Sequence, residues 1–464
     1  MIGRLAPIAI SLGAAILFSA RAIYDPDLFW HLAQGRDVLA GHIVRANLFS
    51  ATASAYPQHY TSWGFEAALA FVAGHTGLAG IEVVQGVLVA AALLMLYASA
   101  RVRYSVVAST AVLLLSLFVI EPRAMPRPYL VSLIGLAACA FAMERWLRDR
   151  VINPVPIAIV MLLWANLHSE AVLGAAFIGM VGVCEFAWPS QLTRAMSARI
   201  VGAGALCLLV TLATPYGVGM WRYLVENAFV PQVLRIAELQ PPTPQTYPAF
   251  FAWLAILAAV LLSQPKRLWM WEGAVVLVFA ALGLRYIRFT PLVVFATAPI
   301  LASRIDALIA RGWDRRAVIT TVVAIMAVTM PASPLRMARA WRVGADAMAP
   351  PDIFSTDAIL FARAHGLSGP VFNSMNLGGY LSWMLPEARV FQDSRLQAYP
   401  AEHFTAILDA AQSPERWRQL VRGVDWAIVS LARPNELSGV GKFTDAEWAS
   451  VFRDRAVEIY VRRK

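Results

Sequence analysis

Residues 78–97 read LAGIEVVQGVLVAAALLMLY, an apolar run of the length that a helix needs to cross a lipid bilayer. The whole chain has 464 residues, of which 59% are hydrophobic and 15% are charged, and its mean hydropathy is +0.60. Soluble domains contain about half apolar and about a quarter charged residues. The composition therefore predicts an integral membrane protein.

Ten other apolar runs predict further membrane-spanning helices. These runs are Leu5–Ile23, Ser105–Ile120, Pro128–Met143, Ile152–Leu167, Ala171–Trp188, Arg199–Thr214, Pro248–Ser263, Leu268–Leu284, Phe289–Ser303 and Ala317–Met330. With Leu78–Tyr97 they make an α-helical polytopic bundle of about 11 spans. The first run is longer than the hydrophobic part of a signal peptide, so we predict an uncleaved anchor.

The arginines predict the orientation of the chain in the membrane. With the N-terminus in the cytoplasm, the short inner loops contain Arg101, Arg103, Arg148 and Arg194, as the positive-inside rule requires. All seven histidines fall in outer segments or at the outer ends of spans. We predict a multi-pass protein of the bacterial inner (plasma) membrane with a periplasmic C-terminal domain. The inner loops account for most of the net charge of +10, so we expect no nucleic-acid partner.

Two parts of the chain differ in character. Residues 1–333 are predicted to form the transmembrane bundle, including a long first outer loop at 25–77. Residues 334–464 have shorter apolar runs and interspersed charges, which predict an extracytoplasmic α/β domain. Its predicted strands are Val371-Phe372, Arg389–Phe391 and Trp426–Val429, and its predicted helices are Asp357–Ala364, Ala401–Ala411 and Pro414–Arg422.

The motif Asp25-Pro26-Asp27 follows the first predicted span and starts an amphipathic helix that runs to Ala40. Such a helix can lie in the membrane interface. Helix capping by Asp25 and a favourable dipole contact of Asp27 explain both acids without catalysis. An ionised carboxylate at the outer face also suits a general base, and two nearby acids suit a divalent cation. We interpret Asp25 and Asp27 as candidate catalytic residues and metal ligands, with His31 beside them.

Basic side chains on two outer turns are candidates for phosphate recognition. Arg123 and Arg127 lie on a proline-stiffened turn, and Arg288 lies on a later one. Guanidinium groups bind phosphate oxygens well, although anchoring to lipid headgroups explains the same pattern. His168 lies between two spans, where polar groups are costly unless they are paired or face a wet cavity. It belongs either to a helix–helix hydrogen-bond cluster or to a substrate site.

Another set of candidates lies in the C-terminal part. Asn373 follows one predicted strand and precedes Gly378-Gly379, whereas Asp393 and Arg395 follow the next strand. Strand ends in α/β sheets expose ligand-contacting groups, and paired glycines permit close backbone approach. A structural turn explains the same residues. The sequence contains no zinc-ligand spacing, nucleophile elbow, Walker loop or dinucleotide fingerprint, which argues against an ATP-driven pump.

These motifs resemble those of GT-C-type integral membrane glycosyltransferases, in particular bacterial mannosyltransferase-like and arabinosyltransferase-like relatives that use polyprenyl-phosphate sugars. The resemblance runs across nearly the whole chain and rests on residues 25–36, Arg127-Pro128, residues 164–168, Asn373, Gly378-Gly379-Tyr380, Asp393, Arg395 and Tyr399. One position departs from the pattern. This chain has Gln392-Asp393-Ser394-Arg395, where the family pattern leads us to expect glycine before the arginine.

The resemblance implies a GT-C-like fold and a lipid-linked sugar bound at the outer membrane face. An acid of the first outer loop then acts as the base with inversion at the anomeric carbon, in some members with a divalent cation such as Mg²⁺ or Mn²⁺. This role falls on Asp25 first and on Asp27 second. Substrate and donor-phosphate roles fall on His31, Arg123, Arg127, His168 and Arg288. We predict sugar transfer from a polyprenyl phosphate to a periplasmic glycan, glycolipid or protein.

Two other classes of protein fit parts of the pattern. A transporter or flippase for a lipid or sugar would have ionisable residues near the bilayer midplane. The acids within the predicted spans, Glu82, Glu185 and Glu272, lie near span ends instead. A non-catalytic scaffold of envelope assembly would tolerate the loss of both Asp25 and Asp27.

Overall fold

The computed structural model describes residues 2–20, 25–227, 237–264, 268–329, 349–435, 437–444 and 446–463. Residues 21–24, at the end of the first predicted span, and residues 330–348, which contain the predicted domain boundary, lie outside this set. The chain divides into two compact units. Unit 1 comprises Met1–Arg21, Val83–Gly217 and Arg235–Trp341, and unit 2 comprises Ala22–Glu82, Val218–Leu234 and Arg342–Lys464.

Helices make up most of the described chain. In chain order they are α1 (Ile2–Ser19), α2 (Asp27–Leu39), α3 (Trp63–Thr76), α4 (Leu78–Arg101), α5 (Val106–Ile120), α6 (Tyr129–Asp149), α7 (Val155–Leu167), α8 (Ala171–Ala187), α9 (Arg194–Val210), α10 (Val218–Asn227), α11 (Pro248–Leu262), α12 (Met270–Arg285), α13 (Thr290–Ala310), α14 (Arg315–Thr329), α15 (Thr356–Ala364), α16 (Gly378–Met384), α17 (Ala401–Ala410) and α18 (Pro414–Leu420). The strands are β1 (Gly369–Asn373), β2 (Ala388–Val390), β3 (Trp426–Ser430), β4 (Trp448–Arg453) and β5 (Val457–Arg462).

Each predicted span overlaps a helix, namely α1, α4–α9 or α11–α14. Within the described residues, the helices long and apolar enough to cross a membrane are Leu78–Arg101, Val106–Arg123, Tyr129–Asp149 and Ile287–Ala310. The shorter apolar helices are Leu5–Ser19, Val155–Leu167, Ala171–Ala187 and Pro248–Leu262. A helix rises about 1.5 Å per residue, so these shorter segments fall below the length of an ordinary span. The protein is a helical membrane protein, and eleven spans remain a prediction.

The centre of unit 1 is α13, whose side chains are almost all buried against α5, α6 and α12. Its Thr297 Oγ1 accepts a hydrogen bond from Trp253 Nε1 of α11 (3.1 Å). In contrast to the buried side chains of α13, the apolar side chains of Ile159, Leu163 and Leu209 on the outside of the bundle are more than half exposed. Apolar surface of this kind is unfavourable in water, at about 25 cal/mol per Å², and is well solvated by lipid.

Unit 2 contains a five-stranded sheet in the order β2-β1-β3-β5-β4. Strand β1 runs parallel to β2 and β3, whereas β5 is antiparallel to β3 and β4. Because β1 and β2 are parallel, Asn373 at the end of β1 and the turn after Val390 lie at the same edge of the sheet. The predicted strands correspond to β1, β2 and β3. The sequence did not predict β4 and β5, because a polar residue interrupts the short apolar run of each strand, namely Ser450 in β4 and Glu458 in β5.

Helix α2 packs against α3 and α16 within unit 2. A side chain at Gly35 would place its Cβ 1.9 Å from the carbonyl oxygen of Glu66, so the close packing of α2 on α3 requires glycine. Leu28, Phe29 and Leu32 are completely buried. The apolar face that the sequence placed in the membrane interface is therefore covered by protein.

Candidate active site

Asp25 and Asp27 lie at the beginning of α2. The backbone N–H of Asp27 donates to Asp25 Oδ1 (3.1 Å), and Asp27 occupies the first turn of the helix. Asp25 is buried, at 3% exposed, whereas Asp27 is half-buried. The capping interpretation thus agrees with the geometry: Asp25 satisfies one of the free N–H groups at the helix start. A capping hydrogen bond fixes the carboxylate in place, and the carboxylate can still act as a base or as a metal ligand.

The turn Gln392–Arg395 contacts this acid pair from the C-terminal part of unit 2. The Ser394 hydroxyl donates a hydrogen bond to Asp27 Oδ1. Ser394 is half-buried, and its neighbours in the turn are buried. A contact between residues so far apart in sequence brings one of the predicted catalytic acids together with the predicted C-terminal turn.

His31 lies one helical turn after Asp27, so the two side chains project from the same side of α2. Its Nδ1 lies 3.0 Å from Glu66 Oε1 on α3, and both residues are buried. Burial raises the pKa of Glu66, and the hydrogen bond and charge of His31 oppose that increase. The contact with Glu66 therefore fixes one imidazole nitrogen of His31 and restricts the rotation of the ring.

A buried polar network continues from Glu66 to the Gln392–Arg395 turn. With its amide nitrogen facing α3, Gln34 donates to Glu66 Oε1 (2.9 Å) and Oε2 (3.1 Å), and its oxygen accepts from Arg395 Nη1 (3.0 Å). Arg395 Nε and Nη2 donate to Asp393 Oδ1 (3.0 Å) and Oδ2 (2.6 Å). Buried charges are stable only with such pairing. The network links α2, α3 and the turn into one polar core.

Asp393 and Arg395 are 0% and 1% exposed, so they act within the protein interior. Asn47 Oδ1 accepts from Arg395 Nη2 (2.8 Å), and the Tyr399 hydroxyl donates to Asp393 Oδ2 (3.0 Å). Burial acts to lower the pKa of Arg395, but the charge and hydrogen bonds of Asp393 outweigh it and raise the pKa above its usual range. This geometry supports the structural-turn alternative for both residues.

Asn373 is completely buried and has the same supporting role. Its Nδ2 donates to the backbone oxygen of Gln392 (2.7 Å), and its Oδ1 accepts the backbone N–H of Phe391 (2.9 Å). A Cβ at Gly378 would lie 2.2 Å from the Gln392 oxygen, and one at Gly379 would lie 2.9 Å from the backbone nitrogen of Trp30. The paired glycines thus allow α16 to approach both the turn and α2.

Unit 1 contains the predicted phosphate ligands. Arg123 Nη1 and Arg127 Nη1 both donate to Glu238 Oε2, at 2.8 and 3.3 Å. Burial acts to raise the pKa of Glu238, but the guanidinium groups of Arg127, Arg123 and Arg288 outweigh it and hold the pKa far below its usual range. The charge of Arg288, on the other predicted turn, thus also acts on Glu238, which the sequence did not establish. In this structure Arg123 and Arg127 bind a carboxylate of the protein, that of Glu238.

His168 and Arg288 lie in a second group of polar residues in unit 1. His168 Nδ1 lies 2.6 Å from Ser132 Oγ, and Ser132 Oγ also accepts from Trp164 Nε1 (3.0 Å). The serine hydroxyl has two acceptor lone pairs, so either Ser132 or His168 can be the donor, and His168 Nδ1 also lies 3.5 Å from Glu170 Oε2. Arg288 Nη2 donates to Glu170 Oε1 (3.1 Å). The helix–helix hydrogen-bond interpretation agrees with this geometry.

Among the described residues, no group of three or more histidine, cysteine, aspartate or glutamate side chains is arranged to hold a metal ion. Asp25 and Asp27 offer a pair of carboxylates. A pair of this kind fits Mg²⁺ or Mn²⁺, because such ions often bind to one or two carboxylates and complete their shell with water and substrate phosphate. It does not fit a structural zinc site, which needs four protein ligands.

Glu66 and Ser394 contact predicted site residues but were not themselves predicted. Glu66 pairs with His31, and Ser394 donates to Asp27. Glu66 had a signal in the sequence, since an acid in the apolar segment Phe65–Val72 needs a partner if it is buried. Ser394 had one as well, because it departs from the family pattern. Neither signal identifies the partner, which comes from a distant part of the chain.

No protein-family model matches the sequence, and no curated protein is significantly similar to it. Solved structures are similar in fold. The oligosaccharyltransferase of Archaeoglobus fulgidus in its apo form has a TM-score of 0.66 and 12% identity, covering 92% of this chain and 69% of that one. The complex of that protein with Zn and sulfate has a TM-score of 0.53 and 12% identity, covering 92% and 68%. At this identity the similarity shows the fold alone: this chain shares the fold of an oligosaccharyltransferase, in line with the expected fold.

Proposed function

We propose that the protein is a membrane glycosyltransferase that moves a sugar from a polyprenyl-phosphate donor to a periplasmic glycan, glycolipid or protein, with inversion at the anomeric carbon. The observation that carries this proposal is the acid pair Asp25 and Asp27, fixed at the start of α2 by a cap and by the Ser394 hydroxyl. The fold shared with an oligosaccharyltransferase supports it. The name of that neighbour describes the transfer of an oligosaccharide, whereas our proposal leaves the identity of the sugar open.

The proposed reaction needs one base and a leaving group. Asp25, or secondarily Asp27, takes the proton from the acceptor hydroxyl. The oxygen of that hydroxyl attacks the anomeric carbon from the side opposite the phosphate. The bond between sugar and phosphate breaks, and the lipid phosphate leaves with the electron pair. A divalent cation held by Asp25 and Asp27 would neutralise charge on that phosphate. The imidazole of His31, oriented by Glu66, is a further candidate for contact with the substrate.

The arginine cluster of unit 1 is our proposed phosphate site. Arg123 and Arg127 bind the carboxylate of Glu238, which is an oxyanion, and guanidinium groups bind the oxyanions of phosphate esters as well. Arg288 contributes a third positive charge to Glu238. We propose that these arginines bind a phosphate group within unit 1, and we keep His168 as a candidate for a hydrogen bond to the substrate.

We expect Arg127→Gln to raise the KM for the lipid-linked donor about 10-fold or more, because a charge-assisted hydrogen bond contributes about 1.5–3 kcal/mol. The value of kcat should change little, as for a contact made equally in the ground and transition states. Initial rates against donor concentration in detergent micelles measure this. Arg145→Gln is the control, since Arg145 is half exposed and pairs with Asp149 within its own helix. An unchanged KM in Arg127→Gln would favour headgroup anchoring instead.

We further propose that the protein lies in the bacterial inner membrane with its N-terminus in the cytoplasm. Residues 334–464 and the first outer loop at 25–77 are then periplasmic, where the acceptor is found. The short arginine-rich loops support this orientation. Cysteine labelling with a membrane-impermeant reagent at exposed positions of the first outer loop and of the loop after α6 would establish it.

The function is tested by comparing lipid-linked sugars and envelope glycans, by mass spectrometry, in wild-type and deletion strains. We expect one sugar to disappear from the envelope and its polyprenyl-phosphate form to accumulate. Purified protein should then transfer that sugar from the accumulated donor. Accumulation of an unmodified lipid on one leaflet would indicate a transporter, and an unaltered profile in both fractions would contradict the transferase proposal.

A further inference from the structure

Ser394 stands where the family pattern leads us to expect glycine, and its hydroxyl donates to the Asp27 carboxylate. We propose that Ser394 is a positioning residue that holds the Asp27 carboxylate in its working orientation. This inference rests on the proposed transferase function.

The backbone does not require glycine at this position. Among the described non-glycine residues, positive φ occurs only at Arg150, so residue 394 has an ordinary backbone conformation. Serine therefore fits without the strain that a left-handed conformation would impose. What serine adds is a hydroxyl donor, and this donor is used on an acid of the first outer loop.

The residues on both sides of Ser394 are firmly anchored. Gln392 Nε2 donates to the backbone oxygens of Asn373 (3.0 Å) and Leu437 (2.8 Å). The ion pair of Asp393 with Arg395 is completely buried. With buried anchors before and after it, the Ser394 hydroxyl has little positional freedom. A donor mounted in this way can restrict the rotamer of a half-buried carboxylate, which a flexible surface donor does not do.

The helix that carries Asp27 is anchored to the same part of unit 2. Arg36 of α2 donates to the backbone oxygens of Ser382 (2.8 Å) and Trp383 (3.0 Å) at the end of α16. Gly379 at the start of α16 lies directly against Trp30 and Pro26. The donor and the acceptor are thus held by contacts that do not depend on their own hydrogen bond. The bond between Ser394 and Asp27 then fixes the last torsions, those of the carboxylate.

The test compares Ser394→Ala, Ser394→Gly and Ser394→Thr in the full-length protein with the donor found for the wild type. Displacement of a reacting group by about 1 Å can cost about 100-fold in rate. We expect Ser394→Ala and Ser394→Gly to lower kcat about 10–100-fold with little change in the KM for the donor. Ser394→Thr keeps the hydroxyl and should recover most of kcat.

Ser382→Ala is the matched control. Ser382 lies in the same unit, is buried, and uses its hydroxyl on the backbone oxygen of Gly378 (2.9 Å), without touching either acid. Its loss should change thermal stability about as much as the loss of Ser394 and should leave kcat near the wild-type value.

Three outcomes overturn the positioning role. Wild-type kcat in Ser394→Ala shows that the hydroxyl is dispensable. Low kcat in both Ser394→Ala and Ser394→Thr shows that the hydroxyl is not the group that matters. A wild-type protein without transferase activity would contradict the proposed function, and full activity in Asp27→Asn would contradict the catalytic role of Asp27. Either result would overturn the positioning role as well. Inactive Asp27→Asn beside fully active Ser394→Ala would overturn the inference alone.

Discussion

Asp25→Asn and Asp27→Asn are each expected to abolish detectable sugar transfer while leaving the protein folded. An amide lacks the basicity to take a proton from the acceptor hydroxyl, and loss of a general base costs about 100- to 10,000-fold in rate. Asparagine is as good a helix cap as aspartate, so the amide oxygen at position 25 can still accept the N–H of residue 27. The measurement is transfer by the purified variants and the content of the affected glycan in complemented deletion strains.

Asp37→Asn provides the matched control for these variants. Asp37 lies on the same helix and accepts a hydrogen bond from the Tyr60 hydroxyl (2.9 Å), which an amide oxygen can also accept. Burial raises the pKa of Asp37, so the protein already disfavours its charge. The control should retain wild-type transfer. If Asp25→Asn and Asp27→Asn both kept full glycosylation in cells, the two acids would be caps and the enzyme assignment would lose its catalytic residues.

Arg395→Met is expected to destabilise unit 2 strongly. The change leaves the carboxylate of Asp393 buried without its cation, and breaking a buried ion pair from one side costs about 3–5 kcal/mol. Hydrogen exchange of peptides that cover residues 25–62 and 388–404 should become more than about 100-fold faster, since each 1.4 kcal/mol is about tenfold. The double variant Arg395→Met with Asp393→Asn removes both charges and should recover part of the loss.

The control for this prediction is Arg453→Met. Glu458, the partner of Arg453, is buried and also accepts from the Ser450 hydroxyl, but the Arg453 side chain is 67% exposed, so water solvates its charge and its loss costs about 0–1 kcal/mol. We expect no measurable change in exchange within unit 2. Equal effects of Arg395→Met and Arg453→Met would show that the buried network does not stabilise the turn that carries Ser394.

Local patterns in the sequence were informative about individual elements. Apolar runs predicted the helices of unit 1, because burial in lipid or protein requires continuous apolar stretches. The alternation of short apolar runs with turns predicted β1, β2 and β3, and the acidic motif predicted the start of α2. Helix α3 was not predicted, since its segment Trp63–Thr76 lies within a loop that was treated as extramembrane and its acid Glu66 interrupts the apolar pattern.

By itself the sequence determined that the chain is a helical membrane protein, where its acidic motif lies and which of its turns carry arginines. Each of these depends on residues that are close together in the chain. Only the tertiary structure decided that the first outer loop belongs to the same compact unit as residues 342–464. Only the tertiary structure showed that Ser394 reaches Asp27 and that Glu66 holds His31. Hydrogen bonds between residues 35 or 367 positions apart leave no periodic signal in the sequence, because the partner is determined by the packing of whole elements.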